Sequence, residues 1–472
     1  LAVDGSLGGV VTVMSGARLL GAGQVGGIVN QTGGVVAPGR DGVVGTLTVA
    51  GNYAGAGGVL RMDATLAGDN APADRLVVRG ATSGVTPIQI NRLAGSTGAP
   101  TPNGILLVQV DGASAPGAFV LASGDYQRNG EAVMVAGAYG YVLRRDAADG
   151  DWRLRSESVA SGAGGGSAKP LFQPGVPVYE AYPQALQLLN GVGSLRERIG
   201  SRQWSDAPGS GVWGRFEGGH TKLQQAVSTT GADLSADRWK LQFGVDPLAR
   251  DLDGGATLVG GLTAYYGEVR TRVTSPSGDG DIQTKGYGLG GALTWQGAGG
   301  GYIDAQVQAG RFDSDLSSRL AGRRTEGSDG TGYAASLEAG RAFTKTSLRL
   351  TPQAQLSYAT VDFDSFADSF GAVVSNDESK SLIGRAGIAV DRDWSAGNLY
   401  AVANVSHEFL DGTRVDVSGI AVASRRERTW VGLATGGTYV WGGGRYVVYG
   451  EAAKGFGDSY QLTGTAGFRM RF

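Results

Sequence analysis

From residue 211 to the end of the chain, apolar and polar residues alternate, and the alternation returns segment after segment. A period of two puts successive side chains on opposite faces of an extended strand, so each segment has one apolar face and one wet face. Trp239, Leu241, Phe243 and Val245 alternate with Lys240 and Gln242, and Ile303, Ala305, Val307 and Ala309 alternate with Asp304, Gln306 and Gln308. Leu348, Leu350, Ala354 and Leu356 oppose Arg349, Thr351, Gln353 and Gln355, while Leu399, Ala401, Ala403 and Val405 oppose Asn404, Ser406 and Glu408. About 12 such segments are present, an even number, as closed bacterial transmembrane barrels require.

The connections separate a barrel from a soluble sandwich. Long polar ones, near 221–235, 270–281, 314–328, 362–378 and 411–424, interleave with tight ones, "GAGG" at 297, "TKT" at 344, "WSAGN" at 394 and "GGG" at 442. Transmembrane barrels sort their connections this way, with short turns on one side of the membrane and long loops on the other, whereas a sandwich has no reason to. Tyr287 and Trp295 share parity and lie roughly 26 Å apart along a strand, about 20 Å along the membrane normal once tilted, which suits opposite aromatic girdles. At the terminus, "TAGFRMRF" places Phe468, Met470 and Phe472 toward lipid and Arg469 and Arg471 toward the lumen. Parity also assigns Arg215, Glu217, Glu338, Arg385, Glu408 and Glu451 to the lumen.

Composition removes other classes. No run approaches the roughly 18 apolar residues of a membrane helix. A net charge of -2 without like-charge blocks makes nucleic acid an unsuitable partner. Cysteine is absent, which excludes disulfides and thiol chemistry and suits a chain that crosses an oxidising compartment unfolded. The opening "LAVDGSLGGV" lacks the parts of a signal peptide, so a fragment or processed form is expected.

The first 60 residues carry short β-branched runs separated by Gly and Asn, the pattern of the last coils of a parallel β-solenoid. Residues 61–158, with "DRLVVRG", "ILLVQV" and "MVAGAYGYVLRR", read as strands that cap the solenoid, using Tyr139, Tyr141 and Trp152 to close it. A linker over 159–177 contains "SGAGGGSAKP". Residues 178–202 read as one amphipathic helix, roughly 36 Å long by its rise per residue and too polar to face lipid. Its cluster Arg196, Glu197, Arg198 and Arg202 would meet the charges of a barrel over 208–472.

In this order of parts the chain resembles the classical monomeric autotransporters, the self-exporting proteins of Gram-negative outer membranes. "GGIVNQTGGVVAPG", "GTLTVAGNYAG" and "DRLVVRG" resemble the pertactin-type passenger stem and its autochaperone, and "SLRERIGSRQW" followed by "GVWGRFEGG" resembles the helix running into the first strand. Thr465, Gly467, Met470 and Phe472 resemble the signal read by the barrel-assembly machinery. The resemblance implies an all-β fold, a 12-stranded antiparallel transmembrane barrel with a helix in its lumen, preceded by the end of a right-handed parallel β-helix passenger. It implies a monomer in the outer membrane, among lipid and lipopolysaccharide, that exports its own passenger to the cell surface, with folding of the solenoid outside supplying the drive. The family's Asn-Asn self-cleavage pair is not matched, because Asn190 is followed by Gly191.

Other motifs weigh less. Gly21, Gly23 and Gly26, and Gly286, Gly288 and Gly291, match a dinucleotide-binding spacing, but no helical period follows either, and 83 glycines make chance matches expected. In the barrel those glycines more readily make room for the helix. His220 and His407 sit near strand ends, which suits neither a Ser-His-Asp triad nor a zinc site. No cofactor and no metal are expected, and the chain is not read as a metabolic enzyme. The one chemistry left open is self-cleavage at Asn190–Gly191, by cyclisation of the Asn side chain onto its own carbonyl with Glu217, Glu338 or Glu408 as the acid. The plain alternative is an Asn bonded to the lumen wall, or a local break at "NGVG". The basic run "SRRERT", 424–429, would either touch lipopolysaccharide phosphates or form a solvated rim. An open porin-like channel with a surface module is the competing function.

Overall fold

The computed structural model describes residues 1–158, 169–200 and 210–471; Arg202 and Phe472 therefore lie outside the described residues. Two compact units are present, one formed by residues 1–173 with 367–373 and the other by 174–366 with 374–472.

In the first unit, short strands stack in parallel on two faces. Arg18–Gly21, Val35–Pro38, Val59–Ala64, Thr82–Arg92 and Phe119–Leu121 make one ladder. Ser6–Val13, Gln24–Gln31, Thr46–Val49, Arg75–Val78 and Ile105–Val110 make the other. Each coil contributes apolar side chains to a common interior, and Leu19, Ile28, Leu47, Leu60 and Met62 are fully buried there. Parallel coiling thus continues to about residue 121, beyond the limit expected near 60. The reason is visible in "DRLVVRG" and "ILLVQV", which pair in register with each other as further coils. The chain then reverses. Trp152–Arg155 pairs antiparallel with Ile105–Val110, and Tyr139–Arg145, Glu131–Ala136 and Tyr126–Arg128 follow as hairpins. Phe119 joins coil to cap, lying 5.9 Å from the Tyr53 ring and edge-on to Trp152 at 5.5 Å. The buried Tyr141 hydroxyl has the carbonyls of Ala67 and Ala99 within reach of its one proton and accepts from the Ala99 amide.

In the second unit, among the described residues, twelve principal strands close a barrel: β1 Gly211–Leu223, β2 Asp233–Leu252, β3 Ala256–Thr274, β4 Gly280–Gln296, β5 Gly301–Ser318, β6 Gly322–Arg341, β7 Leu348–Phe363, β8 Val373–Trp394, β9 Gly397–Glu408, β10 Thr429–Trp441, β11 Tyr446–Phe456 and β12 Tyr460–Arg471. Closure is an antiparallel β12–β1 seam in which Arg469 faces Trp213 and Gly467 faces Arg215. The parity holds: Phe243, Leu289, Val307 and Leu356 point outward, while Lys240, Gln242, Asp304 and Gln355 are buried inside. Tyr287 and Trp295 both face outward. Tyr439, Trp441, Tyr446 and Phe468 form a contiguous aromatic cluster near the tight-turn end.

One expectation fails usefully. Residues 270–281 and 314–328 were expected as long loops, yet β3 runs to Thr274, Gly280 pairs with Ser318, and β6 begins at Gly322. Beyond the lipid-facing band both faces of a strand are wet, so the alternation that marks a strand disappears while the backbone ladder continues. The stretch 411–424 likewise contains a hairpin, Thr413–Val417 with Ile420–Arg426, that pairs with Gln225–Ser228 and extends the wall.

Candidate functional site

The barrel lumen holds two helices, α1 Val176–Asn190 and α2 Leu195–Ile199, where one helix over 178–202 was expected. Gly191 is extended, and Ser194 starts a new helix as a capping box with Glu197: the Ser194 hydroxyl accepts from the Glu197 amide, and the Glu197 carboxylate accepts from the Ser194 amide. The Ser-x-x-Glu spacing at 194–197 was legible and was missed.

α1 lies toward the long connections. Its Glu180 carboxylate accepts from the Ser228 hydroxyl at 2.6 Å and from the amides of Thr229 and Thr230 at 3.1 and 2.9 Å. Gln184 donates to Ser424 and Tyr182 to the Ser328 carbonyl. The helix has no basic residue in its last turn, so the wall supplies the cations that its C-terminal carbonyls favour. Arg238 donates to Leu188, Lys240 to the carbonyls of Leu189 and Gly191, and Gln308 to that of Asn190. Close approach needs small wall residues. A Cβ at Gly280 would lie 2.4 Å from Val178, and one at Gly286 would lie 3.3 Å from Leu189.

α2 reaches the tight-turn end. Arg198 pairs with Asp304 at 2.6 Å, both nearly inaccessible, and Arg196 pairs with Asp391 at 2.7 Å while stacking on the Tyr400 ring. These partner acids were absent from the candidate set, although Asp304 shares parity with the buried Gln306 and Asp391 with Arg385. The candidate Glu338 accepts instead from the Leu195 amide and the Tyr302 hydroxyl, with Arg385 at 3.5 Å. Glu217 pairs with Arg238 at 2.7 Å and lies 3.9 Å from Arg215. Glu408 accepts from Ser381 and from the Leu382 amide. Glu451 accepts from Tyr400, and Arg469 pairs with Asp246. Thr465 is buried, and a Cβ at Gly467 would collide with the Tyr449 ring at 2.1 Å.

At the proposed cleavage point, Asn190 donates through Nδ2 to the carbonyls of Tyr333 and Thr360, both at 3.0 Å. No carboxylate hydrogen-bonds to Asn190 among the described residues, and the three candidate acids are occupied elsewhere. The basic run 424–429 is largely neutralised within the protein: Arg425 and Arg428 pair with Asp411, and Arg426 lies over Trp430 near Glu408.

A closed 12-stranded antiparallel barrel with an apolar exterior, a charged lumen and an internal helix defines an outer-membrane β-barrel protein. Residues 212–453 match the autotransporter beta-domain family, and residues 23–143 match autochaperone domain type 1. The chain belongs to the autotransporter family. It is 38% identical, over its whole length, to the adhesin BmaC autotransporter of Brucella suis biovar 1 (strain 1330), of which it spans 15%. It is 29% identical over 58% of its length to the pertactin autotransporter of Bordetella bronchiseptica, covering 30% of that protein. The transport unit of the autotransporter AIDA-I from Escherichia coli superimposes with a TM-score of 0.54 at 20% identity, over 63% of this chain and 99% of that one, a likeness of fold alone. The chain thus carries the autotransporter beta-domain together with an autochaperone domain, and it spans well under half the length of most of the relatives it matches.

Proposed function

We propose that the exported passenger stays joined to the barrel, so that the chain is both translocator and surface anchor, with α1 and α2 as the plug left in place after export. The observation that carries this reading is Asn190. Cyclisation needs its side-chain nitrogen to attack its own carbonyl and an acid to manage the proton. Here that nitrogen donates to two wall carbonyls, and among the described residues no carboxylate meets it. The Brucella relative is named an adhesin, and we read a tethered surface-binding role for this chain on that basis. In the same reading, folding of the stacked coils outside draws the chain outward, and the assembly machinery recognises Thr465, Gly467, Met470 and Phe472. Lipopolysaccharide meets the barrel's outer face rather than the self-paired run 424–429. Fractionating cells that express the chain behind a signal peptide tests the tether: passenger epitopes remain with the outer membrane if it holds, and shed passenger in the medium contradicts it.

A further inference from the structure

Two polar cavities flank the segment 193–200 inside the barrel. One, of about 330 Å³, reaches the long-connection end, where Gly412 and Thr413 line it. The other, of about 620 Å³, opens among the tight turns at Gly255 and at 297–301. Arg385 lines the first and Glu338 the second. At the boundary between them the Glu338 carboxylate, 2% exposed, takes the Leu195 amide at 3.1 Å and the Tyr302 hydroxyl at 2.7 Å, with the Arg385 guanidinium 3.5 Å away. Leu195, Ile199 and Tyr302 pack as a small apolar cluster beside it.

We propose that Glu338 is the closing element of an ion path through the lumen and that the path, once opened there, passes anions in preference to cations. Within the plug that α1 and α2 form, one carboxylate then completes the seal. The preference comes from the first cavity, whose lining carries Arg238, Lys240, Lys380, Arg385, Arg425 and Arg426 against Glu197, Glu217 and Glu408. In the second, Arg196 and Arg349 share Asp391, and Asp393 lies 3.7 Å from Arg349, so two cations face two acids and add little net charge. A confined passage with low-dielectric walls focuses such an imbalance, and rings of cationic side chains select anions in pores generally. The seal lies on the barrel side of Asn190, so it stands whether or not the chain is cut there.

The test is conductance of the full chain in planar bilayers under a potassium chloride gradient. The unaltered chain is expected to be quiet. E338A is expected to raise conductance by about an order of magnitude, with a reversal potential on the chloride side. E338Q keeps the volume and the Tyr302 contact and gives a smaller rise, and R385E added to E338A moves the reversal potential toward potassium. Heat-modifiable gel mobility establishes that each barrel is folded. A folded E338A or E338Q indistinguishable from the unaltered chain overturns the proposal, as does a cation-selective E338A or an unaltered chain that already conducts as strongly.

Discussion

Val85 in the coiled unit and Leu337 on the barrel are exposed to nearly the same extent, 53% and 54%, yet the two exposures mean opposite things. Around Val85 the solvent is water, and scattered apolar residues on a wet surface cost little. Around Leu337 it is hydrocarbon, and the apolar side chain is where the solvent favours it. Charge is inverted in the same way. The coiled unit keeps most of its ion pairs at the surface, such as Arg79–Asp111 and Arg40–Asp4, and buries Asp63 and Asp74 against polar donors, mostly backbone amides. The barrel buries Arg198–Asp304, Arg196–Asp391 and Arg469–Asp246. A stacked coil gains stability from a dry interior, whereas a barrel whose dry face must point to lipid is left with a polar interior that has to be satisfied by pairing.

The sharpest way to break this comparison is Asp304→Ala, which leaves Arg198 buried and unpaired and is expected to cost about 3–5 kcal/mol. Its measure is the temperature at which the barrel loses its compact gel mobility. Replacing both partners, Asp304→Leu with Arg198→Met, should recover most of that loss; equal damage from single and double changes would mean packing rather than charge governs the site. Next comes Leu337→Arg, expected to cost about 2–4 kcal/mol in lipid, while Val85→Arg should fall within about 0.5 kcal/mol of the parent. Denaturant titration of the two variants reads the contrast directly.

A smaller effect tests the coiled unit's buried carboxylate. Burial pushes Asp74 up from 3.8 to about 6, against the amides of Gly45 and Asp63 that favour its charged form. Because the folded state holds the proton more tightly than the unfolded one, this group's contribution is most favourable below pH 4 and is lost as pH rises toward 6. The loss is expected to be about 2 kcal/mol after allowance for partial solvent screening. Hydrogen exchange over residues 39–45 should quicken across that interval in the full chain, and Asp74→Asn should remove the dependence. Smallest is Asp111→Ala at the exposed pair with Arg79, expected to leave the midpoint of the same denaturant titration essentially where it was.

Much of this architecture could be read from the residues because two solvents impose two patterns. Lipid on one side and water on the other enforce strict alternation, so strand parity placed Arg215, Glu338, Glu408 and Arg469 inside the barrel. Where both faces are wet the rule fails, which is why strand continued through 270–274 and 314–318. The break after Asn190 is the alternative that "NGVG" offered; a single helix outweighed it because apolar spacing continues across Gly191–Gly193 to Leu195 and Ile199, although the capping box at Ser194 marked a second start. Partner choice lay beyond reach. Parity says that Asp304 and Glu338 face inward but not which of them meets Arg198, since that depends on how far the helix enters the barrel.

The central claim is a translocator that keeps its cargo attached while a helix occupies its lumen. The most direct measurement is the intact mass of the barrel species extracted from outer membranes after expression behind a signal peptide. A single species that retains the chain from residue 1 through the barrel is the result this account predicts. A barrel fragment beginning at Gly191 would contradict it and would place an acid at Asn190 that the resting geometry does not supply.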